Sequence, residues 1–160
     1  ASLTLTTAAA EKVYRAPGKP AELNISLRVA AGARLAWLPQ ETILFDRARI
    51  ARRIDIDLAE GASLLLCEIV VFGRAAMGET MRHGEFVDRW RVKYAGRLAF
   101  AETVRLEGDI GEKLARPAVA GGGAAIGTAL SAVTLSFCRS CGRGVRACGN
   151  ARLVRPFQIS

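Results

Sequence analysis

The chain has 160 residues and a mass of 17.1 kDa, room for one domain with a sizeable core. With 51% of residues apolar and 24% charged, a wholly disordered chain is excluded. The net charge is +8, but residues 117–160 hold five Arg and no acid, which leaves 18 basic residues against all 15 acidic ones in 1–116, so a chain-wide nucleic-acid-binding face is not expected.

Ser2-Leu3-Thr4-Leu5-Thr6 alternates apolar with polar residues, and so do Leu23 to Val29 and Ile54 to Leu58. Side chains two apart share one face of a strand, so each run predicts a strand with one face buried and one wetted. Leu64 to Phe72 is almost continuously apolar, broken by Glu68, and predicts a strand covered on both faces. Thr80 to Arg89 reads as a short helix or a loop, since Gly78 and Gly84 interrupt it. Alternation resumes at Arg97 to Phe100 and Val104 to Leu106. Ala31-Gly32-Ala33, Glu60-Gly61-Ala62 and Ala95-Gly96 each stand between two such runs, where Gly supplies the positive φ of a tight hairpin turn. Pro117 to Cys138 carries no charge and is long enough for a membrane span. Its glycines and hydroxyl residues, with few large apolar side chains, favour a Gly-rich turn and a buried strand or helix.

The phrases at Ser2, Arg34, Ser63 and Arg97 (Ser-Leu-Thr-Leu, Arg-Leu-Ala-Trp, Ser-Leu-Leu-Leu, Arg-Leu-Ala-Phe) recur at steps of 32, 29 and 34 residues. Ile25-Ser26-Leu27 likewise resembles Ile54-Asp55-Ile56. Units that cannot bury a face alone stack. The expected fold is all-β: stacked antiparallel hairpins in an elongated two-layer architecture with few short helices. The expected division is a β domain over 1–130 and an irregular Arg/Cys-rich tail over 131–160.

The chain opens on Ala1 without a basic segment and an apolar stretch, so no secretory leader is expected, and the absent initiator Met points to a piece of a longer protein. One Cys in the body, Cys67, suits a reducing compartment. Cys138, Cys141 and Cys148 could supply part of a zinc site, yet the single His, His83, is distant in sequence. It reads as a surface histidine, and no catalytic constellation is visible. Gly121-Gly122-Gly123 lacks the G-K-[ST] of a phosphate loop.

The polar residues inside apolar runs are the candidates. Glu41 lies between Trp37-Leu38-Pro39 and Ile43-Leu44-Phe45, and Glu68 lies within Leu64 to Phe72. A carboxylate in such a place must face solvent, pair with Arg, or line a wet interior. Arg47, Arg49, Arg52, Arg53 and Arg74 are available partners, and the functional alternative is a polar path passing a divalent cation between oxygen ligands. Arg74, Met77 and Glu79, bracketed by Gly73 and Gly78, suit either a connecting loop or a recognition surface.

Ala10-Glu-Lys-Val-Tyr-Arg15, Trp37-Leu-Pro-Gln-Glu-Thr-Ile-Leu-Phe45, Phe72-Gly-Arg-Ala-Ala-Met-Gly-Glu79, Asp88-Arg-Trp90 and Ala115-Arg-Pro117 together resemble the urease accessory protein UreD (UreH) family, in its order and over residues 1–130. The resemblance implies a mostly β scaffold rather than an enzyme, without a tightly bound cofactor, acting in the cytoplasm. It implies a complex with UreF and the GTPase UreG that docks on apo-urease, with nickel in transit through a polar passage, and no membrane or nucleic-acid partner. Glu41 and Glu68 become candidates for that passage, and Arg74, Met77 and Glu79 for a partner-facing loop. Family members are longer, and the acid-free tail departs from them as a shifted reading frame would. The readings from other classes are a basic anion- or RNA-binding module and a small zinc-binding protein built on the Cys-rich tail.

Overall fold

The computed structural model describes residues 1–132 and the short strand Arg152–Val154. In chain order the elements are β1 (Ser2–Leu5), β2 (Glu11–Val13), β3 (Ala21–Val29), β4 (Arg34–Trp37), β5 (Thr42–Leu44), β6 (Arg49–Leu58) and β7 (Ser63–Arg74), followed by β8 (Glu79–Thr80), β9 (His83–Tyr94), β10 (Arg97–Asp109), α1 (Ile110–Ala115), β11 (Ala125–Ala132) and β12 (Arg152–Val154). They form two sheets. One runs β1-β4-β7-β11-β12, with β5 on the outer half of β7, β2 on β5, and β8 on the end of β7; the other runs β10-β9-β6-β3.

The internal repeat is the stacking rule of this fold. Ser2 pairs with Arg34 and Arg34 with Ser63, so the first three repeated phrases lie side by side in one sheet. Ile25 pairs with Ile54 and Leu27 with Ile56 in the other. These pairs are parallel. The expected antiparallel hairpins are therefore corrected for the first two turns. Ala31-Gly32-Ala33 and Glu60-Gly61-Ala62 each carry the chain from one sheet to the other, so a strand and its return strand face each other across the core. Gly32 and Gly61 take φ of 68° and 76°, and the turns lie on one another: the Ser63 N–H donates to the Ala33 carbonyl at 2.9 Å. Alternation fixes which face is apolar, and both arrangements satisfy it. Like-on-like aliphatic stacking favours the parallel one here. Of these three turns, only Ala95-Gly96 closes a hairpin, β9–β10. The sheets are thus mixed, with β7–β11 also antiparallel.

Two further expectations change. Thr80 to Arg89 is neither helix nor loop, because β9 begins at His83 and alternates inward through Phe86, Asp88, Trp90 and Val92. The buried Asp88 hid that alternation. The Leu64 to Phe72 strand is covered on one face only. Leu64, Leu66, Glu68, Val70 and Phe72 point inward, whereas Leu65 is 49% exposed and Cys67 is exposed beside Ala129.

The interior holds two apolar clusters. One gathers Leu44, Ile50, Val70, Phe72, Phe86, Leu106 and the buried face of α1, Ile110 and Leu114. The other gathers Ile54, Ile56, Leu58, Leu64, Leu66, Trp90 and Leu130. Asp109 caps α1 by accepting the Glu112 N–H at 3.1 Å. No helix among the described residues is long and apolar enough to cross a membrane.

Candidate functional site

Between the two clusters runs a polar layer. On β6, Arg52 separates Ile50 of one cluster from Ile54 of the other. Glu68 separates Val70 from Leu66 on β7, and Asp88 separates Phe86 from Trp90 on β9. Arg52 and Asp88 are register partners on adjacent parallel strands. Glu68 faces them from the opposite sheet, with Thr128 of β11 as its own register partner. The two-residue strand period places all three inside, because each occupies a core position in its run.

All three are buried, with Arg52 only 3% exposed. The Arg52 guanidinium binds Glu68 Oε2, and its Nε lies 3.5 Å from Asp88 Oδ1. Each carboxylate has its own indole donor: Trp37 Nε1–H donates to Glu68 Oε1 at 2.7 Å, and Trp90 Nε1–H donates to Asp88 Oδ2 at 2.9 Å. Arg52 Nε and Asp88 Oδ1 make no hydrogen bond among the described residues. Two carboxylates face one guanidinium, which stays charged in any protein setting. Burial pushes the Asp88 carboxyl above its usual range, against the opposing pull of Arg52 and the Trp90 N–H; the carboxylates of Glu68 and Glu102 push the same way as burial.

A hollow of about 260 Å³ leads to this layer. Exposed Glu11 and Gln40 stand at its outer end, and buried Thr42, Glu68 and Arg52 at its inner end, with Trp37 as a wall. Asp88 does not line it. Of the sequence candidates, Glu68 lies in the layer. Glu41 is half-buried just before β5 and does not line the hollow, although its neighbours Gln40 and Thr42 do. Its backbone carbonyl accepts the Glu11 N–H at 2.9 Å. A larger, more open hollow of about 570 Å³ lies elsewhere, at Arg15, Arg47, Arg49, Glu85 and Glu107.

Arg74, Met77 and Glu79 form a separate surface feature. Gly73, at φ 97°, is the next-to-last residue of β7, where any Cβ would strike the Glu79 carbonyl. A 3-10 turn, Ala75–Met77, closes on Gly78 in the left-handed region. Arg74 binds Glu79, and Glu79 also accepts the Asp46 backbone N–H at 3.1 Å. Those two contacts, the backbone one first, hold Glu79 below the usual carboxylate range. Asp46 is held low as well: partial burial opposes, but the backbone N–H groups of His83 and Arg82 outweigh it. The Arg74 guanidinium stacks 4.2 Å from the Phe45 ring centroid, and Tyr14 meets Phe45 edge-on. Met77 is 73% exposed and Tyr14 62%.

Arg52 and Asp88 are not among the sequence candidates for the site, and Arg52 is there only one of several possible carboxylate partners. The signal was there in register: each is the charged residue in an otherwise apolar set of alternate positions. His83 is exposed, with Nε2 3.9 Å from Asp109. Among the described residues no group of three or more His, Cys, Asp or Glu side chains is arranged to hold a metal ion. Cys138, Cys141 and Cys148, and with them the zinc and shifted-frame readings, lie outside the described residues.

The family model described as UreD urease accessory protein matches residues 1–152. The chain belongs to the UreD family. It is 80% identical over 128 residues to "Urease accessory protein UreD 3" of Bradyrhizobium sp. (strain BTAi1), covering 80% of this chain and 46% of that protein. It is 79% identical over 130 residues to "Urease accessory protein UreD" of Bradyrhizobium diazoefficiens, covering 81% and 47%. A protein of the same name from Rhodopseudomonas palustris (strain HaA2) is 73% identical over 132 residues, covering 82% and 47%. The chain thus spans about half the length of these UreD relatives.

Proposed function

We propose that this chain supplies the β scaffold of a urease accessory protein, and that it assists nickel delivery to apo-urease without catalysing a reaction. One observation carries the reading. In a family named for urease maturation, a continuous polar layer crosses an otherwise apolar interior, and a hollow connects it to solvent. A purely structural core gains little from such a layer, since buried ion pairs seldom stabilise more than apolar residues of equal volume. A passage gains a great deal, because carboxylate oxygens suit a hard or borderline divalent cation in transit.

Nickel is cargo in this reading. It enters past Glu11 and the Gln40–Thr42 segment, with Glu41 beside the opening, and meets Glu68. Weak, incomplete ligation favours onward movement. The loop at Arg74, Met77 and Glu79 faces a protein partner of the UreF type, with UreG acting through the same assembly in the cytoplasm.

The test replaces the resident gene of a urease-positive host with a full-length relative carrying this core. Glu68→Gln is expected to lower nickel-dependent urease activation while leaving co-purification with the accessory partner intact. Full activation by a stably folded Glu68→Gln protein would overturn the passage. Loss of co-purification by the unaltered relative would overturn the scaffold.

A further inference from the structure

We propose that Arg52 is the gate of the polar layer, a tethered cation that holds Glu68 until a divalent cation arrives and then transfers to Asp88. This rests on the passage reading above and adds its regulation.

The hydrogen-bond inventory is uneven in a way that a static ion-pair network does not require. Both oxygens of Glu68 are engaged, one by Trp37 and one by Arg52. An incoming cation therefore finds each carboxylate oxygen of Glu68 already accepting a hydrogen bond. Asp88 is different. One of its oxygens is taken by Trp90, and the other, Oδ1, is buried without a hydrogen bond. The group facing that oxygen, at 3.5 Å, is Arg52 Nε, itself buried without an acceptor. Orphaned buried donors and acceptors are uncommon because each costs free energy, and here the two orphans face each other. A small rotation of the guanidinium toward Asp88 would satisfy both and free Glu68 Oε2 toward the hollow.

Charge gives the direction. With both carboxylates ionised, Arg52, Glu68 and Asp88 sum to one negative charge. Adding a divalent cation at Glu68 while Arg52 stays on Glu68 would press two cations against one carboxylate. Transfer to Asp88 gives each cation its own carboxylate in a low-dielectric interior, where such a rearrangement is worth most. The guanidinium suits the role, since its planar fork can exchange one carboxylate for another without losing its charge. Asp88 stands behind Arg52, outside the hollow's lining, where it can receive the guanidinium without competing for the cation.

The experiment is a Ni²⁺ titration of the 160-residue chain, followed by tryptophan quenching and calorimetry, with circular dichroism as the folding check. Trp37 reports on Glu68 directly through its hydrogen bond. Arg52→Gln is expected to tighten Ni²⁺ binding about tenfold by removing the competitor, and Asp88→Asn to weaken it about tenfold by removing the receiving carboxylate. Asp88 acts here as a positioning residue for Arg52, so Arg52→Gln with Asp88→Asn should bind as Arg52→Gln alone does. Should Arg52→Gln not fold, Arg52→Lys keeps the charge on a single-pronged head and is expected to give a smaller rise. Affinities unchanged in Arg52→Gln, or in a folded Arg52→Lys, overturn the gate while Glu68→Gln still abolishes binding and the passage stands. An additive effect of Asp88→Asn in the double variant also overturns it. If neither the unaltered chain nor a folded Arg52 variant binds Ni²⁺, gate and passage fall together.

Discussion

Trp37 and Glu68, on neighbouring strands of one sheet, are joined by a 2.7 Å hydrogen bond from the indole N–H to a carboxylate whose other oxygen holds Arg52. The bond links β4 to its neighbour β7 at the boundary between the two apolar clusters. Two unlike losses can therefore be separated. Trp37→Phe removes a donor and leaves the ion pair, and should cost about 1–3 kcal/mol. Glu68→Ala leaves the buried guanidinium with Asp88 as its one carboxylate and the Trp37 N–H without its acceptor, and should cost about 3–5 kcal/mol. Denaturant unfolding of both variants gives the order, and a Trp37→Phe loss as large as that of Glu68→Ala would contradict it.

What was legible in the sequence is what period and repeat encode. Ser2, Arg34 and Ser63 begin phrases that match, and they pair in register. The direction of pairing was not legible from alternation, which depends only on which side chains face inward. The spacing held the answer, since copies about thirty residues apart can lie side by side only after the chain has visited the other sheet. Arg52 and Asp88 were hidden because a charged residue at an inward position looks, in sequence, like a break in the strand. Glu68 was visible because its flanks are so uniformly apolar. Seeing that Arg52 meets both carboxylates required the two sheets to be superposed, information spread over β6, β7 and β9.

Asp88 gives a pH signature. Its carboxyl titrates above the ordinary value in the folded chain, with burial as the leading cause. Between the ordinary value of 3.8 and that raised pKa, the folded state binds more protons than the unfolded state, so Asp88's contribution to stability falls as pH rises through this window. Asp88→Asn fixes the neutral form. Its stability relative to the unaltered chain should therefore improve steadily as pH rises through the window and level off above it. Thermal unfolding of both proteins from about pH 4 to pH 8 tests this, and a pH-independent difference would refute it.

Glu79 and Asp46 act in the opposite sense. Both carboxyls are held below their ordinary values of 4.5 and 3.8, chiefly through backbone N–H donors that outweigh burial. Their contribution is present above those values and lost as pH falls through the lowered ones. Acid should therefore loosen the Phe45–Arg74 corner before the β3–β6–β9 sheet. Amide exchange of Arg82 and His83, whose N–H groups bind Asp46, should accelerate on acidification relative to core amides of β6.

Three glycines separate conformational need from mere presence. A Cβ on Gly73 would lie 2.5 Å from the Glu79 carbonyl oxygen, and one on Gly84 would lie 2.5 Å from that of Ala48; both residues have positive φ. Backbone cannot give way cheaply, so each Ala variant should lose more than about 2 kcal/mol. Gly127 in β11 has nothing within 4 Å of its missing Cβ. Gly127→Ala should be neutral or stabilising by up to about 1 kcal/mol, because it narrows the unfolded ensemble. Equal losses at all three positions would refute the contacts at Gly73 and Gly84.

Met77 and Arg74 differ in how they sit on one loop, the first exposed and the second tied down. Met77 is 73% exposed at the end of its 3-10 turn, so Met77→Asp should change stability by no more than about 0.5 kcal/mol. Arg74 is tied to Glu79 and stacked on Phe45, so Arg74→Ala should cost about 1 kcal/mol and free the turn. If this loop faces a protein partner, Met77→Asp in a full-length relative should reduce co-purification of the UreF-type partner without lowering the unfolding midpoint, because a charge is placed where an apolar side chain would be covered. Arg74→Ala should reduce both. Retained co-purification with Met77→Asp would remove the loop from the interface and leave it a connecting turn, held by Arg74 for the sake of β7 alone.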